Sequence, residues 1–171
     1  MARQLWLLRH GEAEPHGTRA DSERQLTPRG EQQSRAAGAA LGRLGARFDA
    51  VLSSPKVRAR RTAELAVEGL GGERECEVRE YEPLASGFEP SAALQVLEEV
   101  AAAGEAPGAR VLLVGHEPDL SGVVAGLCGG NIDLKKGGLA VVRLDGARGE
   151  LVAVLRPREI ALIAGVPAGG E

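Results

Sequence analysis

The chain has 171 residues, with 21 Lys+Arg against 24 Asp+Glu and a formal net charge of −3. A hydrophobic fraction of 43% beside 26% charged residues is that of a soluble globular protein, and it excludes a disordered chain, a coiled coil and a collagen-like repeat. The mildly acidic balance and the 2% aromatic content argue against a nucleic-acid partner, since they supply neither a basic coat nor a base-stacking platform.

The length suits one domain with a sizeable core, spanning 1–171 and fraying after about residue 165. No apolar run approaches the ~20 residues of a membrane span, so no membrane partner is expected. The stretch Leu5 to Leu8 is too short for the core of a signal peptide and ends in Arg9-His10. Cys76 and Cys128 lie far apart with no CxxC pairing, which suits free thiols in a reducing compartment. The expected location is the cytoplasm, and the expected state is a monomer.

Short apolar runs alternate with longer helical patterns, which predicts an α/β fold. Gln4 to Leu8 reads as a buried strand that stops at Arg9-His10-Gly11. Residues 11–26 are polar and irregular and read as a surface loop. Thr27-Pro28 starts a helix, with Thr as N-cap and Pro at the first turn; Ala36, Ala37, Ala40, Leu41 and Leu44 share one face, and Gly45 stops it. Phe48 to Leu52 is a second strand. Ser53-Ser54-Pro55 repeats the cap-then-proline start, which predicts a helix from about Pro55 to Val67. A short strand is expected over Cys76 to Arg79, and a helix from Pro90 to the Gly104 stop. Arg110 to Val114 is an unbroken apolar run of the kind a parallel strand covered on both faces needs. It ends in Gly115-His116, ahead of a helix over Asp119 to Leu127. Leu139 to Leu144 and Glu150 to Leu155 flank the turn Asp145-Gly146, an antiparallel hairpin at the sheet edge near the C-terminus. A short final helix is expected after Pro157, through Ile160–Ala164.

In open α/β sheets, ligands bind beyond the carboxyl ends of the strands. Three such ends carry notable polar residues here: Arg9-His10-Gly11, Ser53-Ser54-Pro55 leading to Arg58, and Gly115-His116. Two arginines beside two histidines repel a metal cation, so no metal and no cofactor is expected. They suit a phosphoryl group. Arg forms forked bonds to phosphate oxygens, and a histidine nitrogen can attack phosphorus.

These blocks resemble the signatures of the histidine phosphatase superfamily, the phosphoglycerate mutase-like fold. Leu7-Leu8-Arg9-His10-Gly11-Glu12 is similar to its Arg-His-Gly signature, and Leu26-Thr27-Pro28-Arg29-Gly30 to its LTxxG helix start. Ser53-Ser54-Pro55-Lys56-Val57-Arg58-Ala59-Arg60-Arg61-Thr62 is similar to its SSPxxRAxxT block, and Val114-Gly115-His116 to its second histidine block. The likeness spans roughly residues 3–145, and four ordered blocks are far more specific than one tripeptide. Asp21 to Thr27 and Gly115 to Leu120 resemble the SixA-type phosphohistidine phosphatases.

The resemblance implies a three-layer sandwich, a mostly parallel central sheet with helices on both faces. It implies that His10 is the nucleophile, transiently phosphorylated, and that Arg9, Arg58 and His116 hold the phosphoryl oxygens, with Arg24 accessory. It implies a phosphatase that needs no metal and acts on phosphohistidine of a protein partner. Many superfamily members carry a Glu general acid after the third strand. The region Glu80-Tyr81-Glu82-Pro83 offers Glu80 and Glu82 without a clear match. An imidazole leaving group, with a conjugate-acid pKa of roughly 6.5, needs that acid less than an alkoxide does.

Each residue also has a plainer reading. His10 and His116 alone could be satisfied histidines at strand ends, and His16 reads as solvated in its loop. Arg58 and Thr62 share a helix face, whereas Arg60 and Arg61 point elsewhere, solvated or paired. Trp6 and Phe48 read as core. The competing functions are a small-molecule phosphomonoesterase, acting on a sugar or nucleotide phosphate, and a phospho-binding module without turnover.

Overall fold

The structure is a computed structural model that describes residues 3–71, 76–104 and 108–167. Six strands build one sheet: β1 (Arg3–Arg9), β2 (Ala50–Ser53), β3 (Val78–Glu80), β4 (Arg110–Gly115), β5 (Leu139–Asp145) and β6 (Arg148–Leu155). Their order is β3-β2-β4-β1-β5-β6. β3, β2, β4 and β1 run parallel, while β5 pairs antiparallel with β1, and β6 with β5. The sheet is therefore mixed, with the expected hairpin extending it to one edge.

Among the described residues, five α-helices cover both faces: α1 (Pro28–Arg43), α2 (Val57–Leu70), α3 (Pro90–Ala103), α4 (Asp119–Cys128) and α5 (Pro157–Ala164). Alternate residues of the central strands feed two separate cores, because strand side chains alternate between faces. Leu5 and Leu7 of β1 and Val111 and Leu113 of β4 pack with Val96, Leu97, Leu120 and Val124 of α3 and α4. Trp6, Leu8, Leu112 and Val114 pack on the opposite face with Ala37, Leu41, Ala63 and Ile160 of α1, α2 and α5. Two covered faces explain why β1 and β4 read as unbroken apolar runs. Trp6 meets Phe48 edge to face at 5.6 Å.

The sequence signals at α1 hold: the Thr27 hydroxyl accepts the Gly30 N–H at 3.1 Å, with Pro28 in the first turn. The start of α2 differs. Its N-cap is Lys56, which makes no side-chain cap, and Pro55 lies ahead of the helix. The Ser54 hydroxyl accepts the Lys56 N–H at 3.2 Å and is also engaged by His116, so it serves the site as well as the turn. The third strand begins at Val78 rather than Cys76, and only Val78, Arg79 and Glu80 pair with β2.

Gly11 and Gly30 stand back to back. A Cβ on Gly30 would lie 1.9 Å from the Glu12 carbonyl oxygen, and one on Gly11 would lie 2.5 Å from the Gly30 carbonyl oxygen. Backbone meets backbone there, so no side chain can yield. Gly30→Ala is expected to destabilise the fold by at least about 2–3 kcal/mol, through overpacking without room to relax. Urea unfolding checks this, and an unchanged midpoint would contradict the close approach.

Candidate active site

The carboxyl ends of β1, β4 and β2 lie side by side and deliver the three polar blocks to one place. His10 follows β1; its N–H donates to the Gly115 carbonyl at 3.1 Å, and its carbonyl accepts the Gly137 N–H at 2.9 Å. The next N–H, of Gly11, donates to the Thr62 hydroxyl at 3.1 Å, and that hydroxyl donates to the Arg58 carbonyl at 2.7 Å. The backbone at His10 is thus pinned from β4, from α2 and from the segment before β5.

The side chains converge. The His10 and His116 rings are 5.1 Å apart between centroids. The Arg58 Nε–H donates to His10 Nε2 at 3.3 Å. His10, His116, Arg58 and Arg24 are each at most 7% exposed. Arg9 donates through Nη1 to the Leu134 carbonyl at 2.9 Å, leaving its Nε buried without a partner. His116 Nε2 lies 2.8 Å from the Ser54 hydroxyl, and its Nδ1 is likewise buried without a partner. Among the described residues these are the two buried side-chain nitrogens without a hydrogen-bond partner, and such groups are costly.

His10 Nδ1 lies 2.7 Å from the Gly11 carbonyl oxygen. A carbonyl only accepts, so Nδ1 carries the proton and Nε2 carries the lone pair. Burial pushes the His10 pKa down to about 3, and the neighbouring His116, Arg58 and Arg9 push the same way. Burial also pushes His116 down to about 3, with Arg58 and Lys56 adding to the effect. Both rings are therefore neutral at physiological pH, and His10 presents an unprotonated nitrogen.

These shifts carry a stability cost in acid. Between pH 6.5 and about 3 the unfolded chain takes up protons that the folded rings refuse. Stability from the two rings is complete above pH 6.5 and falls as the pH drops through that window, by up to about 1.4 kcal/mol per pH unit for each ring. Urea midpoints should be lower at pH 5 than at pH 7. Equal midpoints would contradict neutral, buried histidines.

Asp21 closes one side of the cup. Its carboxylate accepts from Lys56 Nζ at 2.9 Å, from Arg24 Nη2 at 2.8 Å and from Arg58 Nη2 at 3.3 Å, and its backbone carbonyl accepts from Arg58 Nη1. Lys56 and Arg24, with Arg58 beyond them, hold this carboxyl far below the usual carboxylate range. Arg24 also donates to the Glu14 carbonyl at 2.7 Å, so it ties Asp21 to the loop. Asp21, Lys56 and the roles of Ser54 and Thr62 were not singled out from sequence. The signals for them lay in the segment from Asp21 to Thr27, the Ser-Ser-Pro block and the i, i+4 spacing of Arg58 and Thr62.

Glu80 pairs with Arg60, which also binds Glu64, while Arg61 faces Glu31 and Glu64. That cluster lines a separate groove of about 490 Å³ with Leu26, Pro55 and Val57. Glu82 opens a short 3₁₀ turn and is exposed. Among the described residues there is no His/Cys/Asp/Glu cluster able to hold a metal, and no helix is long and apolar enough to cross a membrane.

Residues 5–85 match the model of the histidine phosphatase superfamily, branch 1. An uncharacterized protein of Picosynechococcus is 36% identical over 151 residues, 85% of this chain and 87% of its own length. The protein histidine phosphatase SixA, solved with tungstate, superposes with a TM-score of 0.78 at 25% identity, covering 92% of this chain and 99% of its own. Phosphoglycerate mutase from Bacillus anthracis shares the fold, with a TM-score of 0.76 at 15% identity over 95% of this chain and 96% of its own. The chain belongs to the histidine phosphatase superfamily. Its architecture is the phosphoglycerate mutase-like one, and SixA is among the structures that it resembles in both fold and sequence.

Proposed function

We propose that the protein is a phosphatase that removes the phosphoryl group from phosphohistidine on a partner protein, by way of a phosphoryl group carried on His10. The lone pair of His10 Nε2 attacks phosphorus; a new P–N bond forms as the substrate's P–N bond breaks, and the departing imidazole takes a proton from solvent. Water then attacks phosphorus, the bond to Nε2 breaks, the water proton goes to solvent and inorganic phosphate leaves. Arg9, Arg58 and His116 surround the phosphoryl oxygens and stabilise their charge in both transition states. The likeness to SixA, a protein histidine phosphatase that holds tungstate, supports this reading.

The observation that carries the substrate class is the state of the nearby carboxylates. Asp21, the one bonded to Arg58, is held as an anion by Lys56, Arg24 and Arg58 and cannot lend a proton to a leaving group. Glu117 gives both oxygens to Ser121, and Glu80 is tied to Arg60. Of the carboxylates tied into or beside the cup, none is positioned as a proton donor, which favours a leaving group that departs without a carboxylic acid. Imidazole can do so at neutral pH, because its conjugate acid has a pKa of roughly 6.5; a sugar alkoxide cannot.

A competition assay tests the assignment: a phosphohistidine-bearing protein domain against sugar and nucleotide monoesters. The phosphohistidine protein is expected to show the larger kcat/KM by at least about tenfold, a difference of roughly 1.4 kcal/mol in transition-state binding. Preference for a monoester would overturn it in favour of a small-molecule phosphatase, and tight phosphate binding without turnover would mark a binding module.

A further inference from the structure

We infer that Ser54 is a positioning residue that fixes the tautomer of His116, keeping the imidazole proton on Nδ1 so that an N–H, not a lone pair, meets the bound anion. The inference rests on the reading of the cup as a phosphoryl site and adds to it which nitrogen of His116 does the donating and what holds it there.

The argument is a count of protons. Ser54 is fully buried. Its hydroxyl oxygen accepts the Lys56 backbone N–H at 3.2 Å and lies 2.8 Å from His116 Nε2. The neighbouring Ser53 hydroxyl is turned away, donating to the Ser54 carbonyl at 2.9 Å. Among the described residues the Ser54 hydroxyl has no other partner, so its single proton has one place to go: the lone pair of Nε2. A neutral imidazole that accepts at Nε2 carries its own proton on Nδ1.

The opposite assignment fails on the same count. With the proton on Nε2, the hydroxyl would accept two N–H groups, and its own proton would be buried with no acceptor. The Nδ1 lone pair would also be buried with no donor. Each such orphan gives up a hydrogen bond that it would make to water in the unfolded chain. With the proton on Nδ1, Ser54 is satisfied on both sides and one atom stays open, the buried Nδ1–H. Among the described residues the other buried side-chain atom without a partner, Arg9 Nε, is likewise an N–H donor. Both atoms are then donors, the kind of group that suits an anion rich in acceptor oxygens.

Ser54 thus does for His116 what the Gly11 carbonyl does for His10, with the opposite sense. The carbonyl accepts from Nδ1 and frees a lone pair at Nε2 for attack. The hydroxyl donates to Nε2 and frees a proton at Nδ1 for binding. Two chemically identical rings 5.1 Å apart acquire different tasks from the groups behind them.

The test is nitrogen-15 NMR of the imidazoles in the full chain at pH 7. His116 is expected as the Nδ1–H tautomer in the wild type. In Ser54→Ala the ring should shift towards Nε2–H, and kcat should fall about 10–100-fold, the scale on which loss of a ligand-orienting partner acts. Ser54→Thr keeps the hydroxyl and should retain the wild-type tautomer. A wild-type His116 protonated at Nε2 would overturn the inference, as would Ser54→Ala with unchanged tautomer and unchanged kcat. The tautomer is read without substrate, so failure of the phosphohistidine assignment would show separately, as a wild type with the Nδ1–H tautomer that prefers monoesters.

Discussion

His10→Ala is expected to abolish turnover, by at least about 10⁴-fold in kcat, and to leave no phosphoryl group on the protein. The reason is specific to this cup. A nucleophile here must be neutral at the attacking atom, within reach of the guanidinium that stabilises the phosphoryl group, and fixed in orientation. His10 meets all three conditions: burial holds it neutral, Arg58 Nε lies 3.3 Å from its free nitrogen, and the Gly11 carbonyl fixes its tautomer. His116 cannot substitute, because its Nε2 is occupied by Ser54. Asp21 cannot either, since three cations hold its carboxylate. Steady-state kinetics with the phosphohistidine domain reads the effect, and a variant within tenfold of the wild type would refute His10 as nucleophile.

Arg58→Ala should lower kcat by about 10²–10³-fold, the scale of losing one preorganised donor to developing charge. Arg58 is 4% exposed, and its three nitrogens are spread between His10 and Asp21. Its removal takes away a cation beside His10 and frees Asp21 from one of its three partners, so an anion in the cup would face a less compensated carboxylate. Arg58→Lys restores the charge but not the planar fork, and should recover only part of the rate. A loss under threefold for Arg58→Ala would mean that Arg58 does not touch the phosphoryl group.

The parts legible in the sequence were those whose signal is local. The apolar runs of β1 and β4 record coverage on both faces, and Thr27-Pro28 records a helix start, because each pattern sits within a few residues of what it specifies. The meeting of Arg9-His10, Arg58 and Gly115-His116 followed from strand ends sharing one edge of a parallel sheet. What escaped reading depends on contacts distant in the chain. Asp21 looked like one acidic residue in a polar loop; its importance comes from Lys56 and Arg58, which lie more than thirty positions away and meet it only in the fold. The Ser-Ser-Pro pattern suits a helix cap, yet the Ser54 hydroxyl also meets His116, 62 residues along the chain, and α2 starts at Val57. Gly11 and Gly30 looked like a turn and a helix residue; only the folded chain presses their backbones together.

Trapping the covalent intermediate tests the central claim most directly. The protein would be mixed with a phosphohistidine-bearing domain, quenched in base to preserve the P–N bond, digested and weighed peptide by peptide. One phosphoryl group on the peptide that contains His10, absent from His10→Ala, is the predicted result. Rapid release of phosphate with no phosphoryl group ever found on that peptide would contradict the account.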